Sequence, residues 1–231
     1  MTLNEFRTLI RLYVPAAKKT RITNGTLDTL INKAVDDVNV YALAYKGNEK
    51  FNVVAEDAEY KWSSEITDFA CLDESGIWWN DGTSASPEWK RMSPMTRKVL
   101  DAAFPAWKDD DSDDPLRYFL EEDNVTFHPT PETALTDGFW AFYVKVATAM
   151  TTGTHYPFTG STVEITALRV LDDAIIDYVR WKLARPLGAD QQGVLTERDY
   201  RTNLSEKVRL LKRRPDIMAS PNNRMQGPII N

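Results

Sequence analysis

Arg117-Tyr-Phe-Leu-Glu-Glu-Asp-Asn-Val-Thr-Phe-His-Pro-Thr-Pro131 decides the fold class. Residues 117–121 have strand composition, Glu122-Asp123-Asn124 is a turn, and residues 125–128 pair back before two prolines stop the run. A third run, residues 139–146, alternates Trp140, Phe142, Val144 and Val146 with Ala141, Tyr143 and Lys145. Period two with this aromatic content predicts a half-buried strand whose apolar face carries the first set. Three such strands in succession make an antiparallel meander, and its apolar face needs cover from the flanking helical segments.

Those helical segments lie on both sides. Thr2 and Glu5 have capping-box spacing, and Leu3, Phe6, Leu9, Ile10 and Tyr13 form a stripe that ends before Pro15. Leu27, Leu30, Ile31, Ala34, Val35, Val38, Ala42 and Tyr45 recur at helical spacing, with Gly47 as the stop. Ser93-Pro94 predicts an N-cap and first helical residue for a helix over 93–103. After a Thr/Gly/Pro-rich loop, Ser161 and Glu164 suggest a capping box for a helix with the stripe Leu168, Leu171, Ile175, Val179 and Leu183. A last helix starts at Thr196, with Leu195 and Tyr200 as a hydrophobic staple, and is lined by Tyr200, Leu204, Val208 and Leu211.

The expected fold class is therefore α+β: a helical bundle packed on a small antiparallel β-meander, with an extended C-terminal tail. Helices are expected at 2–14, 26–46, 93–103, 162–185 and 196–213, and strands at 51–92 and 117–147. Residues 1–214 form a single domain in this reading, and 215–231 form the tail. The meander and the closing helix pair are expected to share one core. Within 51–92, Phe51-Asn-Val-Val54 and Ile66-Thr-Asp-Phe69 read as strands, and Ile77-Trp-Trp79 before Asn80-Asp-Gly82 reads as a hairpin arm.

Composition fits a globular protein: 42% hydrophobic and 27% charged over 231 residues. No run of eighteen apolar residues predicts a membrane span, and no secretory signal is evident. A lone cysteine, Cys71, cannot form an internal disulfide and suits a reducing compartment; beside Phe69 and Leu72 it reads as a small core residue. Charge is unevenly placed. Residues 56–137 hold 20 acidic and 7 basic side chains, a net of −13, while the flanks are slightly basic. Phosphate binding needs cations, so this middle would not grip nucleic acid; it suits a surface that DNA passes without sticking.

Residue chemistry points away from catalysis. His128 and His155 have no neighbouring metal-ligand or nucleophile pattern, and there is no phosphate loop, nucleophile elbow or paired-Cys signature. Asp172-Asp173 reads as a solvated pair on a helix surface. Asp109, Asp111 and Asp113 copy the first ligands of a calcium loop, but Asp114 stands where glycine is required and Leu120 where glutamate is required. No metal or cofactor is expected.

The order of segments resembles the head–tail connector adaptor proteins of tailed bacteriophages. Residues 27–45 match the longer N-terminal helix, residues 66–72 sit where the family turns from its first strands towards a Trp-containing segment, here Trp78-Trp79, and 118–131 match the strand, turn, strand and proline stop. Residues 168–183 and 200–211 match the closing helix pair. The resemblance covers residues 3–211.

It implies a structural virion protein, assembled in the host cytoplasm and placed in the neck: a homo-oligomeric ring, usually of twelve copies, between the portal protein and a stopper or tail protein. Double-stranded DNA would pass through its lumen without sequence-specific binding, and no membrane is involved. The tail would dock into the portal through Arg213, Arg214, Pro215, Ile217, Met218, Arg224, Ile229 and Ile230. Asp109, Asp110, Asp111, Asp113 and Asp114 would face the channel. Alternatives are another tail or neck completion protein and, in a different class, a hydrolase with scattered carboxylates.

Overall fold

The structure, a computed structural model, describes residues 1–14, 19, 21–105, 107, 113–187 and 196–212. It is mixed α and β, and it divides into two compact units: residues 1–45 with 146–231, and residues 46–145.

The first unit is helical. α1 (Leu3–Leu12) opens with the capping box read from sequence: the Glu5 N–H donates to Thr2 Oγ1, and the Thr2 N–H donates to the Glu5 carboxylate at 2.7 Å. α2 (Asn24–Ala42) starts on Thr23, whose Oγ1 accepts from the Thr26 N–H. It ends at Leu43 in the left-handed region (φ 49°), not at Gly47. The buried Asn39 closes that end, its carbonyl accepting the Leu43 and Ala44 N–H groups and its Oδ1 the Tyr45 N–H. Gly47 instead lies in a strand, where a Cβ would run into the Lys145 and Tyr143 side chains.

The expected capping box at Ser161 and Glu164 does not form. Ser161 Oγ accepts from Val163, Glu164 pairs with Arg169, and a 3-10 turn over Thr166–Leu171 precedes α5 (Asp172–Leu187). α6 (Glu197–Lys212) is capped by Thr196 and Asp199, and it buries Tyr200, Leu204 and Leu211. Leu195 lies outside the described residues. These helices share one core, in which Leu168, Leu171, Ile175 and Val179 meet Phe6, Ile10, Leu27, Ile31 and Val38.

The second unit holds two four-stranded sheets. One has the order β1 (Lys46–Val53), β8 (Leu135–Lys145), β3 (Phe69–Asn80), β4 (Trp89–Arg91), all antiparallel. The other has the order β2 (Glu59–Lys61), β7 (Asn124–His128), β6 (Arg117–Glu121), β5 (Ser93–Pro94), with β5 parallel to β6. A short α3 (Trp62–Glu65) leads from β2 of one sheet to β3 of the other, and α4 (Arg97–Ala103) connects β5 to β6 within one sheet.

The β6–β7 hairpin is the one read from sequence. β8, however, belongs to the other sheet, so the three runs are not a meander. Ser93-Pro94 is strand rather than helix start: it pairs with Arg117-Tyr118, and Thr96 caps α4 instead. A proline without an N–H fits such a short edge strand.

The two sheets bury Phe51, Tyr60, Trp62, Ile77, Trp79, Tyr118, Phe127, Phe139, Ala141 and Tyr143 together. Phe127 and Phe139, one from each sheet, stack with centroids 3.8 Å apart. On β8 the face in this core is therefore Phe139, Ala141 and Tyr143, the reverse of the expectation. The opposite face carries a second aromatic layer, with Trp140 4.5 Å from Phe142 and 5.2 Å from Trp89. Val146, expected on the buried face, lies past the strand and is 51% exposed. The single domain and single core of the sequence reading thus become two units with separate cores: the closing helices bury their stripe on α1 and α2, and the strands bury theirs between sheets.

β1 and β8 pair from Lys46↔Val144 onward, so both ends of the second unit lie side by side on adjacent strands. A fragment of residues 46–145 should consequently fold by itself, with strong near-UV circular dichroism from its packed rings and a cooperative melt; a flat near-UV spectrum would refute this. In the helical unit, Ile175 is fully buried, whereas the Asp173 side chain is 69% exposed and paired with Lys207. Ile175→Ala should cost about 2–5 kcal/mol by chemical denaturation, and Asp173→Ala no more than about 1 kcal/mol.

Candidate interaction surface

The residues expected to dock on a portal, Arg213, Arg214, Pro215, Ile217, Met218, Arg224, Ile229 and Ile230, lie outside the described residues. So do Asp109, Asp110 and Asp111. The two remaining acidic candidates, Asp113 and Asp114, are exposed. The Asp113 N–H donates to the Thr130 carbonyl at 2.9 Å, which ties this stretch to the segment after β7.

Asp114 lies against Asp81, and Lys90 forms an ion pair with Asp81. The two carboxyls are held apart in acidity. The hydrogen bond from Lys90 lowers the Asp81 pKa, while partial desolvation of its exposed side chain first, and then Asp81, raises that of Asp114. The loop beneath is built on the buried Asn80, whose Oδ1 accepts from the Gly82 and Glu88 N–H groups at 3.0 Å each.

On the helical unit an open groove of about 430 Å³ is lined by Lys33, Asp36, Asp37, Val40, Tyr41, Tyr178 and Arg201. α2 presents residues 33, 36, 37, 40 and 41 as a second stripe beside its core stripe, and here α6 supplies Arg201. The Arg201 guanidinium straddles Asp37 at 2.9 and 3.3 Å, and the Tyr200 hydroxyl donates to the same carboxylate at 2.5 Å. Burial, then the Asp37 hydrogen bond, pushes the Tyr200 phenol far above its ordinary value, so it stays a donor. Tyr41 shares a hydrogen bond with Ser205 at 2.8 Å and is 47% exposed, beside Val40 at 51%. Tyrosine and arginine are residue types enriched at protein interfaces. Nothing local in the sequence announces this cluster, because its partners are more than 160 residues apart.

Asp172, read as solvated, is 6% exposed and accepts from the Met1 amine at 2.7 Å. Burial raises its pKa against the pull of that amine. Only Asp173 of the pair faces solvent, since successive helix positions point apart. Asp73 pairs with Lys46, and Asp177 with Arg180 and Asn203, so these carboxylates are engaged in structural contacts. His128 is 3% exposed and packs on Phe104 and Trp107. Cys71 is half-buried rather than fully in the core, and burial raises its thiol pKa.

No helix among the described residues is long and apolar enough to cross a membrane. No family model matches the chain, and no curated protein is similar enough to it to count as a relative.

The Asp81–Asp114 pair gives a pH signature. Because the folded state raises the Asp114 pKa above its unfolded value, the stability linked to this group is full below the unfolded carboxylate range. It is lost as pH rises through the folded pKa. Asp114→Asn should therefore raise the melting temperature at neutral pH, and the gain should vanish in acid. A gain that persists unchanged at low pH would rule out the charge as its cause.

Proposed function

We propose that the protein is a ring-forming adaptor of the phage neck, standing between the portal and a stopper or tail protein and continuing the DNA channel. The observation that carries this reading is the order of its parts. An N-terminal helix pair and a closing helix pair build one unit, a β unit is inserted between them, and α6 leads at Lys212 into the Arg213-Arg214 sequence. That order runs parallel to the segments on which the resemblance to connector adaptors rests.

In this reading the residues from Arg213 onward dock on the portal, and repetition around a ring multiplies weak contacts per subunit into a stable joint. The acidic β unit, with Asp113 and Asp114 at its surface, faces the passing DNA and repels phosphate. The exposed Tyr41 and Val40 beside the Arg201 groove supply a surface for protein contact.

The test is electron microscopy of the purified protein mixed with its cognate portal protein. Ring-shaped density added to one end of the portal is the expected result, and a chain truncated after Lys212 should fold and fail to add it. Absence of any complex with the portal, together with binding to a tail tube, would replace the adaptor by a tail completion protein.

A further inference from the structure

The sequence holds one Asn-Gly pair, Asn24-Gly25, and the fold sets it in the first turn of α2. Both residues are exposed. A Cβ added at Gly25 would meet only Thr23 Oγ1, at 3.8 Å, so the space around this peptide is open. The opening N–H groups of a helix have no carbonyl one turn back. Thr23 serves two of them, its Oγ1 accepting from Thr26 at 3.1 Å and its carbonyl from Leu27 at 3.2 Å; neither bond engages the Gly25 nitrogen. Helix ends fray, and this supplies the freedom that ring closure on the Asn24 side chain requires.

The third feature is Arg11. Its Nη2 donates to Asn24 Oδ1 at 2.9 Å and to the Ile22 carbonyl at 3.1 Å, which holds a guanidinium on the oxygen of the side-chain amide. We propose that Asn24 is a site of spontaneous deamidation, promoted by Arg11, whose carboxylate product ties α1 to α2 more firmly than the amide does.

The Gly25 nitrogen, having lost its proton to solvent base, attacks Asn24 Cγ. The electron pair moves onto Oδ1, where the Arg11 guanidinium stabilises the oxyanion. Collapse expels the side-chain nitrogen as ammonia, which takes its proton from water, and leaves a succinimide. Water then adds to either ring carbonyl and opens it to an aspartyl or an isoaspartyl residue. One water is consumed and one ammonia released. The aspartyl carboxylate sits at the positive end of α2 and against Arg11, so a hydrogen bond to a neutral acceptor becomes a charge-assisted one. The isoaspartyl form carries an extra backbone carbon and breaks the first turn.

The full-length protein, incubated in alkaline buffer and followed by intact mass and peptide mapping, tests this. The peptide containing Asn24 should gain one mass unit before any other asparagine peptide. Gly25→Ala should slow the gain, because a Cβ hinders ring closure by its nitrogen, and Arg11→Gln should slow it by removing the cation from the oxyanion. Raised salt, which screens the guanidinium, should slow the parent but not Arg11→Gln. Asn24→Asp should melt above the parent, and the difference should shrink in the Arg11→Gln background to what the positive end of α2 alone supplies. No mass gain at Asn24 would overturn the proposal, as would parental rates in Arg11→Gln with no salt effect on the parent.

Discussion

The pairing of β1 with β8 is the constraint on which the rest depends. Lys46 lies opposite Val144 and Phe51 opposite Phe139, so the chain enters and leaves the β unit on neighbouring strands. A segment whose ends meet can be inserted into a chain without forcing apart what flanks it. The helical unit can then be assembled from both flanks of the sequence, with α1 and α2 from one side and α5 and α6 from the other. Its contacts span most of the chain: Asp37 with Arg201 and Tyr200, Tyr41 with Ser205, Asn32 with Met150. Each is a polar pin between elements that a hydrophobic stripe alone would leave free to slide.

Asn32 shows the mechanism at its simplest. Its amide donates to the Met150 carbonyl at 3.2 Å, and its oxygen accepts the Met150 N–H at 2.9 Å, copying the pairing of a strand neighbour. The loop that follows β8 is fixed in this way against α2 although it has no regular structure of its own. The Leu3 N–H donates to the His155 carbonyl and the Asn4 N–H to that of Gly153, so α1 gives its opening donors to the same loop. A stretch rich in Thr, Gly and Pro thereby becomes part of the helical unit's frame.

What was legible in the sequence follows from range. Helix stripes and caps at Thr2 and Thr196 are set by residues three and four apart, and these were readable. The β6–β7 hairpin was readable for the same reason: its turn lies between its arms. The partner of β8 was not. Phe139, Ala141 and Tyr143 on one side and Trp140, Phe142 and Val144 on the other are both apolar, and a period of two cannot choose between two apolar faces. Ser93-Pro94 carried a strong helix-start signal, and a tertiary bond overrode it: the Met95 N–H reaches the Tyr118 carbonyl and draws the segment into the sheet. Asp172 was misread because burial depends on what another part of the chain places above it, here Met1 and the residues around Leu168. The Asp37–Tyr200–Arg201 cluster was invisible for the same reason, while the acidic character of residues 109–114 was plain in composition alone.

Charge follows the division into units. Residues 46–145 carry 21 acidic and 10 basic side chains, a net of −11, and the rest of the chain carries 18 basic and 13 acidic, a net of +5. On the adaptor reading this separation has a physical use. DNA phosphates are repelled by a carboxylate-rich wall, so the duplex meets no site at which sliding is arrested, whereas a lysine-rich wall would hold it through counterion release. The repulsion is screened over roughly 10 Å at about 0.1 M salt, so only carboxylates close to the duplex contribute. Asp81 is tied to Lys90 and adds little to such a wall. Asp113 and Asp114 stand exposed beside it, and the Asp114 pKa is raised first by partial desolvation and then by the neighbouring Asp81 and Asp113 carboxylates. A surface of this kind is poor at packing and good at letting a polyanion pass. The apolar and aromatic contacts that a stable ring needs must then come from elsewhere, and the Tyr41 and Arg201 surface of the helical unit has the chemistry for them.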